Sequence, residues 1–352
     1  MRAVNYSEVL QLVCELAGFT YATTASQTLM RLRGHISRRF RSIWECDYWP
    51  ELTRVQERHY RSDYASGTSY AAPTTTTSTE VFYPPTKGYY QVLRASTGNA
   101  PATLSGGTYT TNTAYWYNAQ ASYSGNDWAA STVYTVGTVV RYPDNNRYYS
   151  CHTAHTSGAT FDATKFGILT PFDKYIAYEQ AGQTAIGEVR DVLTTDPQVD
   201  RLFSTANWTL SRNGVQVPDG PAIVWLEFRT RFTPLLGDDY SATATYAVGD
   251  QILFNSSGSV KNFYTCVTAT SAGESPNTAA AKWSLIEIPY LFQPYLVTGA
   301  FADFLIMDGQ MDKAAAQNRI ADEYLADELQ KLHDLQPQYQ RLAVSGAYHS
   351  SL

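Results

Sequence analysis

One aromatic β-pattern recurs three times in this chain, and that repetition constrains the fold more than any other feature. One copy reads Tyr134-Thr-Val-Gly137-Thr-Val-Val140, then Tyr148-Tyr149-Ser-Cys151. Another reads Tyr246-Ala-Val-Gly249-Asp-Gln-Ile252, then Phe263-Tyr264-Thr-Cys266, and runs on through Gly273 and Pro276 to Trp283. A degenerate copy, Tyr89-Tyr90-Gln-Val92 followed by Gly98, Pro101 and Trp116, matches that tail. Self-similarity of this kind marks repeated supersecondary units. It predicts a scaffold decorated with small all-β modules, and it makes catalysis an unlikely first use for the chain.

The 352 residues suffice for two to four domains. Charged residues make up 16%, against roughly a quarter in ordinary soluble domains, while tyrosine alone contributes 27 residues. Few charges and many Tyr, Thr and Ser point to β-rich surfaces engaged with neighbours. The formal charge of −6 argues against a dedicated nucleic-acid binder. Cys14, Cys46, Cys151 and Cys266 lack C-x-x-C spacing, and the last two hold the same place in their repeats, so free buried thiols are expected. No secretory signal follows Met1 and no run of about 18 apolar residues stands out, so a soluble protein assembled inside a cell is expected.

Helical patterns occupy both ends. Ser7 is a candidate cap for a helix with Val9, Leu12, Val13 and Leu16 on one face; Ser26 is one for a second helix lined by Leu29, Leu32, Ile36, Phe40 and Ile43. Near the other end, Leu296, Ala300, Phe304 and Met307 share a face, as do Ala321, Leu325, Leu329 and Leu332, with Gly309 between the two runs. Between them, Glu51–Tyr60, Tyr175–Tyr178, Ala185–Val189 and Ile223–Phe232 read as strands, Asp191–Phe203 as a short helix or turn, and Trp208–Val217 as a hairpin turning at Asn213-Gly214. The fold class predicted is α+β: a helical bundle from both chain ends, a small antiparallel β region, and inserted all-β modules. The segments run 1–66 (helical scaffold), 67–126 (degenerate module), 127–170 (module), 171–238 (β scaffold), 239–286 (module) and 287–352 (helices and an extended arm). Insertion is thermodynamically easy, since loop closure costs only about 0.6 kcal/mol per doubling of length. The modules should then be self-contained appendages.

No catalytic constellation, Walker loop, dinucleotide fingerprint or nucleophile elbow is present, so an enzyme and a cofactor are not expected. Cys151-His152-Thr-Ala-His155 reads as a polar turn rather than a metal site, and Asp238-Asp239 as a solvated turn. Arg31, Arg38 and Arg41 fall on one helix face, with Arg33 and Arg39 nearby. That face is either solvated or salt-bridged to the acidic C-terminal helix, or it contacts an acidic neighbouring subunit or phosphates. In each module the paired aromatics alternate along a strand, so outward rings could stack on sugars. Candidate glycan platforms are Tyr148, Tyr149, Phe263, Tyr264, Trp283 and Trp116.

The Y-x-x-G-[DT]-x-[VI] segment, the following Y/F-Y-x-C and the closing Pro276 and Trp283 resemble small carbohydrate-binding modules of the chitin-binding type. The 127–170 copy lacks the closing Trp and has Phe166 nearby. The remaining scaffold resembles tailed-bacteriophage head-to-tail adaptors, on Arg39-Phe40-Arg41-Ser42-Ile43-Trp44-Glu45, Tyr48-Trp49-Pro50-Glu51, Val224-Trp225-Leu226-Glu227-Phe228-Arg229 and Met307-Asp308-Gly309-Gln310-Met311. That resemblance implies a structural virion protein of the neck, assembled in the host cytoplasm as a homo-oligomeric ring of about twelve subunits. It would join the portal ring to tail or neck proteins, with double-stranded DNA passing through without sequence-specific binding and no membrane contact. The modules would project outward and offer cell-surface glycans a site. Residues after Gln336 would form an assembly arm carrying Tyr339, Arg341 and Leu342. Two alternatives share the pattern: a carbohydrate-binding adhesin or tail accessory protein, and a tail-tube or tail-terminator subunit.

Overall fold

The computed structural model describes residues 2–120, 123–180, 182–200, 204–256 and 261–335. The class is α+β, with four α-helices among the described residues and many small, mainly antiparallel sheets. The chain divides into two compact units, Met1–Leu52 with Phe232–Leu352, and Thr53–Arg231.

The first unit holds helices α1 (Tyr6–Leu16), α2 (Ser26–Cys46), α3 (Gln293–Met307) and α4 (Met311–Leu335). The short strand Ala3–Asn5 pairs antiparallel with Glu287–Pro289. One core contains Val9 and Val13 of α1, Leu32, Ile36, Phe40 and Ile43 of α2, Leu296 and Ala300 of α3, and Ala321 and Leu332 of α4. The apolar spacing of α2 therefore matches its buried face. That of α1 is shifted: Leu12 and Leu16 are exposed, while Tyr6, Leu10 and Cys14 are buried. Ser7 is not the cap either. The helix starts one residue earlier, and the Ser7 N–H donates to Asn262 Oδ1 at 2.9 Å, a cap supplied from the 239–286 module. Ser26 likewise lies inside its helix, after Ala25.

Helix α3 is buried nearly all round, so its predicted single face gives way to eight buried positions, and Met307 is exposed. Its window Tyr290–Met307, 18 residues of mean hydropathy 1.2, has the length and apolarity of a membrane span, which corrects the expectation that no such run exists. Half of that window is buried inside the protein, as in a core helix.

In the second unit, Val224–Thr230 is the central strand of an antiparallel sheet between Ile186–Leu193 and Thr53–Arg58. Asp191–Leu193 is thus strand, not the helix or turn expected. A smaller sheet places Gly214–Gln216 between Tyr175–Ala177 and Thr209–Leu210. The hairpin is present, but Gly214 belongs to its strand and serves close approach: a Cβ there would lie 2.1 Å from the Ile176 carbonyl oxygen.

All three modules share one topology. In the second, strand Asn126–Asp127 runs parallel to Val139–Tyr142, which pairs antiparallel with Arg147–Cys151 and then Phe166–Ile168. The third repeats it with Asp238–Asp239, Gln251–Phe254, Asn262–Cys266 and Trp283–Leu285. The degenerate copy reduces the parallel pairing to one bridge, Asp63 to Phe82, before Glu80–Tyr83, Gly88–Val92 and Trp116–Asn118. It therefore opens ahead of residue 67. Gly137 and Gly249 take φ of +88° and +97°, the left-handed region that the Y-x-V-G turn demands, and each N–H bonds the cysteine carbonyl of its module at 2.8 Å.

The modules are not self-contained. Each has a small core of its own, but the adjacent aromatic ring leaves that core. Tyr264 packs inside its module, while Phe263 joins the helical core against Tyr6, ring centroids 4.8 Å apart. Tyr90 packs inside the degenerate copy, while Tyr89 joins the core of the central sheet, 4.6 Å from Phe172 and 5.7 Å from Tyr60. Tyr149 packs inside the second module, while Tyr148 lies 5.9 Å from Tyr123, itself 5.6 Å from Tyr117. The strand period of two sends neighbouring rings to opposite faces, and both faces are occupied.

Candidate functional site

Of the rings expected as glycan platforms, all but Tyr148 are buried. Trp116 and Phe263 are 0% exposed, Tyr149 4%, Trp283 7% and Tyr264 9%; Tyr148 is half-buried against Tyr123. The indole N–H groups are satisfied internally, Trp116 Nε1 donating to the Asn99 carbonyl at 2.8 Å and Trp283 Nε1 to that of Glu274 at 3.1 Å. The correction has a simple cause. A module of about 45 residues cannot enclose a core without its largest side chains, and the ring on the second face is consumed by the joint to its host.

A different aromatic set lies nearer the surface. At equivalent positions stand Tyr64 and Tyr83, Trp128 and Tyr142, and Tyr240 and Phe254, all half-buried. Each pair is edge-to-face, at 5.8, 6.0 and 5.3 Å. Tyr64 Oη, Trp128 Nε1 and Tyr240 Oη are buried with no hydrogen-bond partner among the described residues. Burial raises the Tyr64 and Tyr240 phenols above their ordinary value. A signal for this set was present in the chain: Asp63-Tyr64-Ala65, Asp127-Trp128-Ala129 and Asp239-Tyr240-Ser241 each precede a tyrosine, Tyr70, Tyr134 or Tyr246, by the same interval. The Oη of that tyrosine accepts from the N–H of Ala65, Ala129 or Ser241 at 2.8 Å in every copy. Asp127 is clamped by both Arg141 nitrogens, at 2.6 and 2.8 Å, which holds its carboxyl below the usual range.

The arginine face survives in part. Arg31, Arg38 and Arg41 are exposed on α2. Their contacts are local: Arg31 approaches Met307 Sδ at 3.7 Å, Arg38 the His35 ring at 2.6 Å and Arg41 Glu45 at 2.9 Å. Arg33 and Arg39 turn away from that face. Arg33 donates to the Gly237 carbonyl at 3.2 Å, and Arg39 to Asp303 at 2.7 Å and Asn318 at 2.7 Å. Within the first unit Arg33 also borders a groove of about 350 Å³ with Leu10, Leu29, Met30 and Lys261 on its walls.

No family model, curated protein or solved structure matches the chain. The remaining candidates therefore rest on geometry. Cys151 Sγ bonds the Thr153 carbonyl at 3.1 Å, as Cys266 does that of Thr268 at 3.0 Å, and burial raises both thiols. His155 Nδ1 sits 2.8 Å from the Thr153 carbonyl, and no group of three metal-ligating side chains occurs among the described residues. Asp238 and Asp239 form the short parallel strand rather than a free turn. Tyr339, Arg341 and Leu342 lie outside the described residues.

Proposed function

We propose that this chain is a structural adaptor of a tailed-phage neck, joining a portal ring to tail components around the DNA channel. In this reading the four helices act as a bundle that seats on the portal, and the modules are fixed outworks of the particle. The observation that carries it is the joint. Phe263, Tyr89 and Tyr148 sit outside their modules' own cores, and Asn262 caps α1 from within a module. Such fusion suits an assembly part whose lobes must hold a set direction. It suits a hinged lectin on a flexible tether poorly. The resemblance of the α2 exit and the α3–α4 junction to neck adaptors supplies the assignment to that location, and no enzymatic role is needed.

The test is reconstitution. Purified protein mixed with isolated portal rings should co-sediment as a complex with a fixed subunit ratio, and particles made without it should fill with DNA but leak it. Absence of portal binding together with absence from mature particles would sink the reading.

The second reading, a glycan-binding accessory, is favoured by one observation: the half-buried pairs Tyr64–Tyr83, Trp128–Tyr142 and Tyr240–Phe254 recur in register. Glycan-array binding lost on Tyr142→Ala and Phe254→Ala, but kept on Tyr148→Ala, is its expected signature.

A further inference from the structure

We infer that the chain self-assembles by laying α2 of one copy antiparallel against α4 of the next, the arginine stripe meeting a carboxylate stripe. Both faces belong to the same unit and both are exposed along their length. On α2 the residues opposite the buried side are Arg31, Gly34, Arg38, Arg41 and Glu45; on α4 they include Arg319, Glu323, Asp327 and Asp334.

The spacing matches in one direction only. From Arg31 the α2 stripe steps seven residues to Arg38, three to Arg41 and four to Glu45. Running backwards from Asp334, α4 steps seven to Asp327, four to Glu323 and four to Arg319. At 1.5 Å per residue the two stripes are each about 21–23 Å long. Antiparallel alignment sets Arg31 by Asp334, Arg38 by Asp327 and Arg41 by Glu323, and the sign reversal at the end is matched too, Glu45 meeting Arg319. A parallel alignment would put Glu45 against Asp334.

Two further features fit a neighbouring helix. Gly34 sits mid-helix on the exposed face, where a glycine weakens the helix, and a Cβ there would meet nothing within 4 Å. That open notch allows close helix approach. The end residues are also held ready: Arg41–Glu45 and Arg319–Glu323 are pairs four residues apart within each helix, with the four side chains 46–79% exposed. Each can exchange its local partner for one across the interface. Asp327 and Asp334 form no ion pair among the described residues.

Because the two faces differ, the contact is heterologous, and repeated contacts close into a ring when the rotation permits. The inference deepens the ring proposed above and rests on that reading only for closure; self-association through these helices needs no portal.

The experiment uses the full-length chain and measures mass distribution by sedimentation velocity. The wild type should associate at about 50 mM salt and weaken at about 500 mM. The variant Arg31→Glu/Arg38→Glu/Arg41→Glu and the variant Glu323→Lys/Asp327→Lys/Asp334→Lys should each associate at least about tenfold more weakly, with unchanged circular dichroism. Mixed in equal amounts, the two should assemble again, since each supplies the face the other now fits. A wild type monomeric at low salt, reversal variants that associate like the wild type, or a mixture that stays apart would each overturn the interface. Portal binding kept by both variants alongside unchanged self-association removes this interface and leaves the adaptor reading standing. Self-association restored by mixing, without portal binding, does the reverse.

Discussion

Replacing Phe263 by alanine should separate a module from its host without unfolding the module. The ring is 0% exposed and lies in the helical core with Ile288 and Phe292, edge-on to Tyr6 at 4.8 Å. Truncating a buried phenylalanine costs about 3–5 kcal/mol, from lost transfer energy plus the cavity left behind. The cavity opens beside α1, whose first turn also depends on the module through Asn262. Tyr264, the next residue, is buried in the module's own small core and its hydroxyl donates to Ser256 Oγ at 2.8 Å. The two substitutions should therefore have opposite spatial footprints. Hydrogen-exchange mass spectrometry on Phe263→Ala should show faster exchange in Tyr6–Leu16 and retained protection in Gln251–Phe254. Tyr264→Ala should give the reverse. The Tyr6–Phe263 term itself, read by a double-mutant cycle in urea, should be about 0.5–1.5 kcal/mol. A cost below about 1 kcal/mol for Phe263→Ala, or identical exchange patterns for the two variants, would refute the joint.

Three shorter predictions follow from the same geometry. Gly214→Ala sets a methyl 2.1 Å from the Ile176 carbonyl oxygen, with backbone on the opposing side, so it should destabilise the Thr53–Arg231 unit by about 3 kcal/mol in urea denaturation. Burial raises the phenols of Tyr6, Tyr60, Tyr89 and Tyr123 well above their ordinary value of 10.0, so their contribution to stability is complete below about pH 10 and is lost as pH climbs beyond it. Arg58, brought down to about 10 by burial, works in the opposite sense over the same range, but it is one group against four; phenolate absorbance of these four should therefore appear together with loss of circular dichroism, and full tyrosine titration in a folded protein would contradict this. A thiol reagent should label Cys46 alone in the native protein and all four cysteines in urea, because Cys14, Cys151 and Cys266 are buried.

Much of the architecture was legible from periodicity. The α2 stripe from Leu29 to Ile43, the break at Gly309 and the Y-x-V-G turns each obey a local rule, and each is found where the rule places it. What failed were the features decided by a distant partner. Ser7 looks like a cap because Ser commonly is one, yet the acceptor arrives from Asn262, 255 positions away. Leu12 and Leu16 share a face with Val9, but the partners of α1 lie on the side of Tyr6, Leu10 and Cys14. The candidate glycan rings failed for a related reason. Alternation on a strand reveals that neighbouring rings point to opposite faces, but not whether the outer face meets water. The Asp-aromatic-small tripeptide is present in the chain three times, but only the hydrogen bond to Tyr70, Tyr134 and Tyr246 in each copy gives that short pattern a meaning.

The same joint accounts for the composition. A module standing alone keeps one sheet face polar, and its strands alternate apolar with charged residues. Here each central strand packs on both sides, into a core at Tyr89 and Phe263 and against a ring at Tyr148, so adjacent positions are both aromatic: Tyr89-Tyr90, Tyr148-Tyr149 and Phe263-Tyr264. Part of the modules' charge is held in clamps such as Asp127–Arg141 and Asp239–Lys261. A low charged fraction and an excess of tyrosine are thus the consequence of two-sided burial, and do not by themselves indicate surfaces for sugar. Helices α2 and α4 carry opposite signs on faces exposed among the described residues, and in the interface inferred above those faces would select the partner.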